Sequence, residues 1–289
     1  MRIVTWNTWW CFGPWRERQP KLVAAIAAQR PDVVLLQETW ADQARSVAEA
    51  CGLAVIGIET GPFHPLGTDG ASADHQMGNA VLADPTRARP LGTVVLPSGD
   101  DLAHRAGVAV AWAHIPGSEV VAVATHLNHI APNHAIRQRQ LDRLGAWLDR
   151  VWPDGPVVMG GDLNLTPYSP EYRLAITPRW VDLWPEARPG DPGSSMDPAN
   201  PNFRDTDWMD ERNGAGHPPG VRFDYLLARR RGHPGGGPGL SVSSIELIGG
   251  AGHGWPSDHL GLCAELLVSP PISAPPVSAP PISEGEPHA

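Results

Sequence analysis

Polar residues of a few chemical types recur in this chain directly after short apolar runs. Asn7 follows Ile3-Val4-Thr5-Trp6, Glu38 follows Val33–Gln37, His126 follows Val120–Thr125, and Asp162 with Asn164 follows Val157–Gly161. Asp224 sits inside Val221–Leu227, and Asp258-His259 precedes the run that opens at Leu260. A carboxylate beside a fully apolar run is costly to bury unless it is paired or bound to metal. Magnesium takes one or two carboxylates plus water and substrate oxygens. Glu38 suits that role, with Asn7 as a neutral oxygen ligand or an orienting group beside it. Asp162 can accept a proton from water, and Asn164 can donate to a phosphate oxygen. The glycines before Asp162 would let its side chain and a substrate come close to the backbone. Histidine is readily tuned to bind or protonate phosphate near neutral pH. A carboxylate would hold His259 as imidazolium, and Asp224 is the candidate; His126 offers a further phosphate contact.

Each residue also has a plainer reading. Glu38 could be a solvated strand end, Gly160–Asn164 a turn, Asp258-His259 a cap beside a surface histidine, and His126 a satisfied strand-end imidazole. What favours chemistry is the series, because neighbouring strands that end at one rim would bring these groups together.

The elements that must do this are legible as valine- and isoleucine-rich runs bounded by Gly, Pro, Asn and Asp. They are Ile3–Trp6, Val33–Gln37, Ala80–Ala83, Thr93–Leu96, Gly107–Ala113, Val120–Thr125, Val157–Gly160, Val221–Leu227, Val242–Ile248 and Leu260–Leu267. Helical periodicity covers His134–Trp152, with Ile136, Leu141, Leu144, Trp147, Leu148 and Val151 on one face, a start at Pro132-Asn133 and a stop at Pro153. Two more helices are expected over Glu17–Gln29 and Ala41–Ala50. Ten strands with few helices and no regular alternation imply two packed sheets flanked by helices, an α/β sandwich rather than a doubly wound sheet. Residues 1–268 read as one domain. The tail Ser269–Ala289 repeats Pro-Pro-Ile-Ser-Ala, Pro-Pro-Val-Ser-Ala and Pro-Pro-Ile-Ser-Glu, and is expected to be extended or disordered.

Composition bounds the partners. No apolar stretch in the 289 residues reaches membrane-span length, so no membrane association is expected. The N-terminus lacks the long apolar region of a secretory signal. Cys11, Cys51 and Cys263 lack the spacing of a disulfide framework or zinc site, which fits a reducing, cytoplasmic setting. The net charge of −9 opposes a grip on long nucleic acid, whose affinity comes largely from neutralised phosphates. A small phosphorylated molecule is therefore favoured, with nucleic acid the alternative because a bound metal supplies local positive charge.

Taken in order, Ile3–Asn7, Leu36-Gln37-Glu38, Gly78-Asn79-Ala80-Val81-Leu82, Thr125-His126-Leu127, Gly161-Asp162-Leu163-Asn164, Arg222–Leu227 and Ser257-Asp258-His259 resemble the endonuclease/exonuclease/phosphatase superfamily. That group includes DNase I-like nucleases, inositol polyphosphate 5-phosphatases and neutral sphingomyelinases. The resemblance implies a four-layered α/β sandwich, two mainly antiparallel sheets between helices, and Mg²⁺- or Mn²⁺-dependent phosphoester cleavage. It implies Glu38 as principal metal ligand with Asn7 nearby, and Asp258 close to the metal. Asp162 would activate or position water, Asn164 and His126 would hold the scissile phosphate, and His259 supported by Asp224 would stabilise developing charge. Asn79 of the third motif joins the substrate-binding set. Many nucleases of the family carry an acidic residue two places beyond the first Asn, where this chain has Trp9. With Trp10, Trp15 and Trp40 it lies next to site motifs, either as core or as an apolar wall for a base, sugar or lipid. Substrate specificity is expected from the loops Pro185–Gly220, especially Asn202-Phe203-Arg204, and Glu59–Met77, with His64 and His75.

Overall fold

The computed structural model describes residues 1–60, 75–96, 108–115, 120–129, 134–153, 155–203, 220–230 and 239–268. His64, Arg204, the helix start at Pro132-Asn133 and the Ser269–Ala289 tail fall outside them. Among the described residues two six-stranded sheets form the centre. The first comprises β1 (Arg2–Asn7), β2 (Val33–Thr39), β3 (Ala54–Thr60), β4 (Gly78–Ala83), β11 (Leu240–Ile248) and β12 (Gly261–Val268), ordered β11-β12-β1-β2-β4-β3. The second comprises β5 (Arg89–Leu96), β6 (Val108–Ile115), β7 (Val120–His126), β8 (Val157–Asp162), β9 (Trp180–Asp182) and β10 (Asp224–Arg229), ordered β5-β6-β7-β8-β10-β9.

The apolar runs are continuous because both faces of the central strands are covered. From β1, Ile3 packs between the sheets with Leu35, Val81, Ala122, Val158 and Leu226. Its neighbours Val4 and Trp6 point the other way, onto Leu22 and Ile26 of α1 (Trp15–Ala28) and Val47 of α2 (Ala41–Cys51). In the second sheet Val121, Val123, Val157 and Met159 pack on Leu141, Leu144 and Leu148 of α3 (His134–Val151). Helix, sheet, sheet and helix therefore form four layers, as expected. A short helix, α4 (Leu183–Ala187), packs Leu183 and Trp184 into the core between the sheets.

Most strand pairs are antiparallel, but each sheet has one parallel pair at its middle: β1 with β2, and β7 with β8. Helices α1 and α3 are the crossovers that such pairs require. Local strand–helix–strand alternation is thus present twice, where the sequence showed no regular repeat. Its consequence is positional. The carboxyl ends of β1, β2, β7 and β8 lie at one rim, with Asn7, Glu38, His126 and Asp162 on them. The antiparallel neighbours bring further groups there, since β10 begins with Asp224 opposite Asp162 and β4 begins at Gly78 opposite Thr39.

Several expected boundaries move. The run Val221–Leu227 becomes regular strand only at Asp224, because Val221 pairs with Met196 and the N–H groups of Phe223 and Asp224 donate to Ser195 Oγ. Strands β3 and β9 went unread: β3 is half-buried throughout with Gly57 inside it, and β9 has only 3 residues. Helix α1 starts at Trp15, before Glu17, and Glu59 belongs to β3 rather than to a loop. The glycine pair of β8 serves the protein's own packing. A Cβ on Gly160 would sit 2.6 Å from Leu35 Cδ1 of the facing sheet, and one on Gly161 only 1.9 Å from the Thr125 carbonyl oxygen. Strand and sheet contacts, rather than a substrate, exclude side chains there.

Candidate active site

The end of β2 is irregular. Its pairing to β4 shifts between Leu36 and Thr39, so Gln37 and Glu38 together oppose Asn79, and Glu38 has φ +49°. A bulge of this kind re-aims a side chain, and a non-glycine residue in the left-handed region stores strain that the surroundings must hold. Gln37 turns inward onto Thr5 Oγ1, while Glu38 Oε1 accepts a hydrogen bond from Asn7 Nδ2 at 3.2 Å. The same Nδ2 donates to Asp162 Oδ2 at 3.0 Å, so one amide bridges carboxylates from the two sheets. The Trp9 N–H in turn donates to Asn7 Oδ1 at 2.9 Å.

Asp162 is buried at the end of β8. Burial raises its pKa, but His259, His126, Asn7 and the Asn164 N–H outweigh that and hold it below the usual carboxylate range. His126 Nε2 lies 3.5 Å from Asp162 Oδ2, 3.9 Å from Glu38 Oε1 and 2.9 Å from Asn164 Nδ2. On the other side His259 Nε2 is 3.7 Å from Asp162 Oδ2, while its Nδ1 meets Asp224 Oδ2 at 2.7 Å. Burial opposes charge on His259, yet Asp224, Asp258 and Asp162 together keep its pKa well above the ordinary imidazole value. The surroundings therefore favour the imidazolium form of His259. Asp258 Oδ1 stands 4.0 Å from His259 Nε2. Burial pushes its carboxyl up to about 7, with the negative charge of Glu38 and Asp162 adding to the rise against His259 and Arg18.

This donor set fits a divalent cation. One ligand atom each from Glu38, His126 and Asp162 lies within 4.8 Å of the others. Glu38 Oε2 is buried and has no hydrogen-bond partner among the described residues. A buried, unpaired carboxylate oxygen among further carboxylates is costly unless a cation meets it.

Residues 4–259 match the endonuclease/exonuclease/phosphatase family. The chain belongs to that family. Among curated proteins none matches the sequence. Solved structures share the family's fold at low identity. Danio rerio TDP2 complexed with single-strand DNA product aligns at TM-score 0.66 and 18% identity over 93% of this chain and 99% of that one. A mannosyl-6-phosphatase of Bacteroides thetaiotaomicron aligns at TM-score 0.66 and 15% identity over 92% and 99%. The human Nocturnin catalytic domain with bound sulfate aligns at TM-score 0.65 and 17% identity over 93% and 94%. Phosphoester hydrolysis is the chemistry that family membership supports.

Within this candidate site the structure brings together Asn7, Glu38, His126, Asp162, Asn164, Asp224, Asp258 and His259, and puts Asn79 across from the Glu38 bulge. Two emphases shift. The convergent ligand atoms belong to Glu38, His126 and Asp162, with Asn7 as the amide between carboxylates and Asp258 beside His259. Trp10 and Trp40 are buried in a small aromatic core with Cys11, while Trp9 remains partly exposed at the rim.

Supporting residues escaped the sequence reading. Ser257 Oγ donates to the Asn7 carbonyl at 2.7 Å and accepts from the His259 N–H, tying β1 to the Asp258-His259 turn. Asn200 donates to the carbonyls of Ser257 and Asp258, and Asn202 to that of Trp255. The loop expected to face substrate thus spends Asn202 on holding the turn that carries His259. Arg18 is buried against the Thr8–Phe12 loop. Hydroxyls, amides and an arginine that act through main-chain carbonyls carry no pattern in sequence.

Proposed function

We propose that the chain is a divalent-metal-dependent phosphoester hydrolase whose favoured substrate is a small phosphorylated metabolite. The observation that carries this reading is the convergence of Glu38, His126 and Asp162 next to the His259–Asp224 pair. A phosphoester is an anion, and Coulomb repulsion in a poorly solvated cleft would exclude it from a cluster of carboxylates without added positive charge. Bound Mg²⁺ or Mn²⁺ would supply that charge and polarise a phosphoryl oxygen. Glu38, with Asp162 and His126 beside it, would hold the ion. Asn7 keeps the Glu38 and Asp162 carboxylates at a fixed separation. Asp162, kept ionised by its neighbours, orients the attacking water and accepts its proton. His259 presents Nε2–H toward the phosphoryl oxygens, and Asp224 retains the proton on the ring. Asn164, beside His126, would meet the phosphate from the opposite side. Fixed donors aimed at developing charge are worth about 10²–10³ in rate each.

The preference for a small substrate rests on the net charge of −9. The likeness to TDP2 and to a mannosyl-6-phosphatase keeps both nucleic acid and sugar phosphate in the test. A panel of sugar phosphates, nucleotides, inositol phosphates and bis(p-nitrophenyl) phosphate, each with Mg²⁺ or Mn²⁺, should yield metal-dependent turnover on a small ester. Glu38→Ala and His259→Ala should each lower it about 100-fold or more, with circular dichroism unchanged. Wild-type-like turnover in either variant overturns the assignment. Efficient plasmid nicking that weakens steeply with salt overturns the substrate preference. Among the described residues no helix is long and apolar enough to cross a membrane.

A further inference from the structure

Arg18 lies in the first turns of α1, at the rim end of the helix, and its side chain is directed inward and buried. A buried guanidinium is ordinarily paired with a carboxylate. Here the acceptors it meets are main-chain carbonyls. Nη1 donates to Thr8 O at 3.3 Å and Pro256 O at 2.6 Å, while Nη2 donates to Trp9 O at 3.1 Å, Trp10 O at 3.2 Å and Phe12 O at 2.7 Å. The Trp9 ring covers the guanidinium at 4.4 Å from Cζ, a cation–π stack. Desolvation lowers the Arg18 pKa to about 10 against the opposing pull of Asp258, Cys11 and Glu38, so the charge persists at neutral pH.

The loop that Arg18 grips is strained. Trp9 and Trp10 have φ of +57° and +30°, conformations that side-chain-bearing residues adopt only when held. What the grip holds in place is the Trp9 N–H, which orients Asn7 Oδ1 and so aims Asn7 Nδ2 between Glu38 and Asp162. The bond to Pro256 O reaches the other loop of the site. There Ser257 Oγ fastens the turn of Asp258 and His259 to the Asn7 carbonyl.

We propose that Arg18 is a positioning residue for phosphoester cleavage, clamping the Thr8–Phe12 loop to the Pro256–His259 turn and thereby setting the Asn7 amide between the two carboxylates. The proposal rests on the hydrolase reading above. It separates Arg18 from a purely structural arginine because its effect must run through Asn7. Arg18→Lys keeps the charge but offers one compact ammonium that cannot span five carbonyls. Loss of an outer-shell partner of this kind costs ~10–100-fold in metal affinity or activity.

The test is a double-mutant cycle on the phosphoester that the wild-type enzyme turns over. Arg18→Lys should lower kcat ~10–100-fold and raise the half-saturating Mn²⁺ concentration, with KM for the ester little changed. In an Asn7→Ala background the same substitution should cost almost nothing further, because both act on one interaction. Losses that multiply, or a loss confined to KM, overturn the proposal. Hydrogen exchange gives a reading that needs no substrate: Arg18→Lys should speed exchange in both 8–13 and 255–259 and leave α3 unchanged. Faster exchange in only one segment, or in neither, also overturns it. Arg18→Gln, neutral and shorter, is read the same way if the lysine variant does not fold. If the wild-type protein cleaves no phosphoester, the hydrolase reading fails, and the exchange result still decides whether the clamp exists.

Discussion

His259 and Asp224 sit 2.7 Å apart in a buried part of the site, with one proton between them. In Asp224→Asn the burial that disfavours the imidazolium remains while the carboxylate that favours it most is gone. The His259 pKa then falls from its raised position. The charged form, complete below that pKa and lost above it, should disappear at lower pH than in the wild type. In kcat/KM profiles the alkaline limb should move to lower pH, with activity declining about tenfold per unit beyond the new pKa. An unmoved limb would remove His259 from its role as the cationic donor. At this scale the sequence was informative, because Glu38, Asp162 and His259 each stand at the edge of an apolar run. It was silent where function passes through main-chain atoms. Nothing in the letters of Arg18, Ser195 or Ser257 says that their partners are carbonyls and amides of the site loops.

Elements fix the site through a close approach that a side chain would prevent. Gly161 lies against the Thr125 carbonyl of the parallel neighbour β7, one step before the opposed residues His126 and Asp162. Gly161→Ala must push these strands apart. It should destabilise the protein by about 1–3 kcal/mol in denaturant melts and lower activity more than stability alone explains, since the displaced pair belongs to the site. A variant with wild-type stability and turnover would show that β7 and β8 tolerate separation. The elements themselves were largely legible: β1, β2, β7 and β8 are strongly patterned and covered on both faces, and α3 carries one long apolar stripe. The losses were β9, with only 3 residues to show a pattern, and β3, an edge strand interrupted by Gly57 and only half-buried along its length. The start of β10 was misplaced because Val221 and Phe223 bury apolar side chains without joining the ladder.

At the scale of the molecule, helix α3 is locked to the segment after β8 by Glu171, whose carboxylate receives Arg137 Nε at 2.9 Å and His134 Nδ1 at 2.8 Å. Burial raises the Glu171 pKa, and the bonds from His134 and Arg137 overcome this and hold it below the unfolded value of 4.5. Its stabilisation is therefore complete above that value and is lost as pH falls through the lower folded one. Glu171→Gln should flatten the loss of stability on acidification below about pH 5. Glu171→Ala, which removes the carboxylate paired with the buried Arg137, should cost about 3–5 kcal/mol at neutral pH. A Glu171→Gln acid melt that overlays the wild type would remove Glu171 from that role. The two parallel crossovers have a further consequence. Glu38 comes from one sheet, and His126 and Asp162 come from the other, so a complete set of donors exists only while the sheets are docked. Any cation captured there acts as a rivet across the sandwich, invisible to the separated halves. By mass action its binding energy adds to the free energy of global unfolding, by about 2.7 kcal/mol at a hundredfold excess over Kd. Titrated Mn²⁺ should raise Tm in the wild type and not in Glu38→Ala, so that a thermometer alone can report whether the seam is shut.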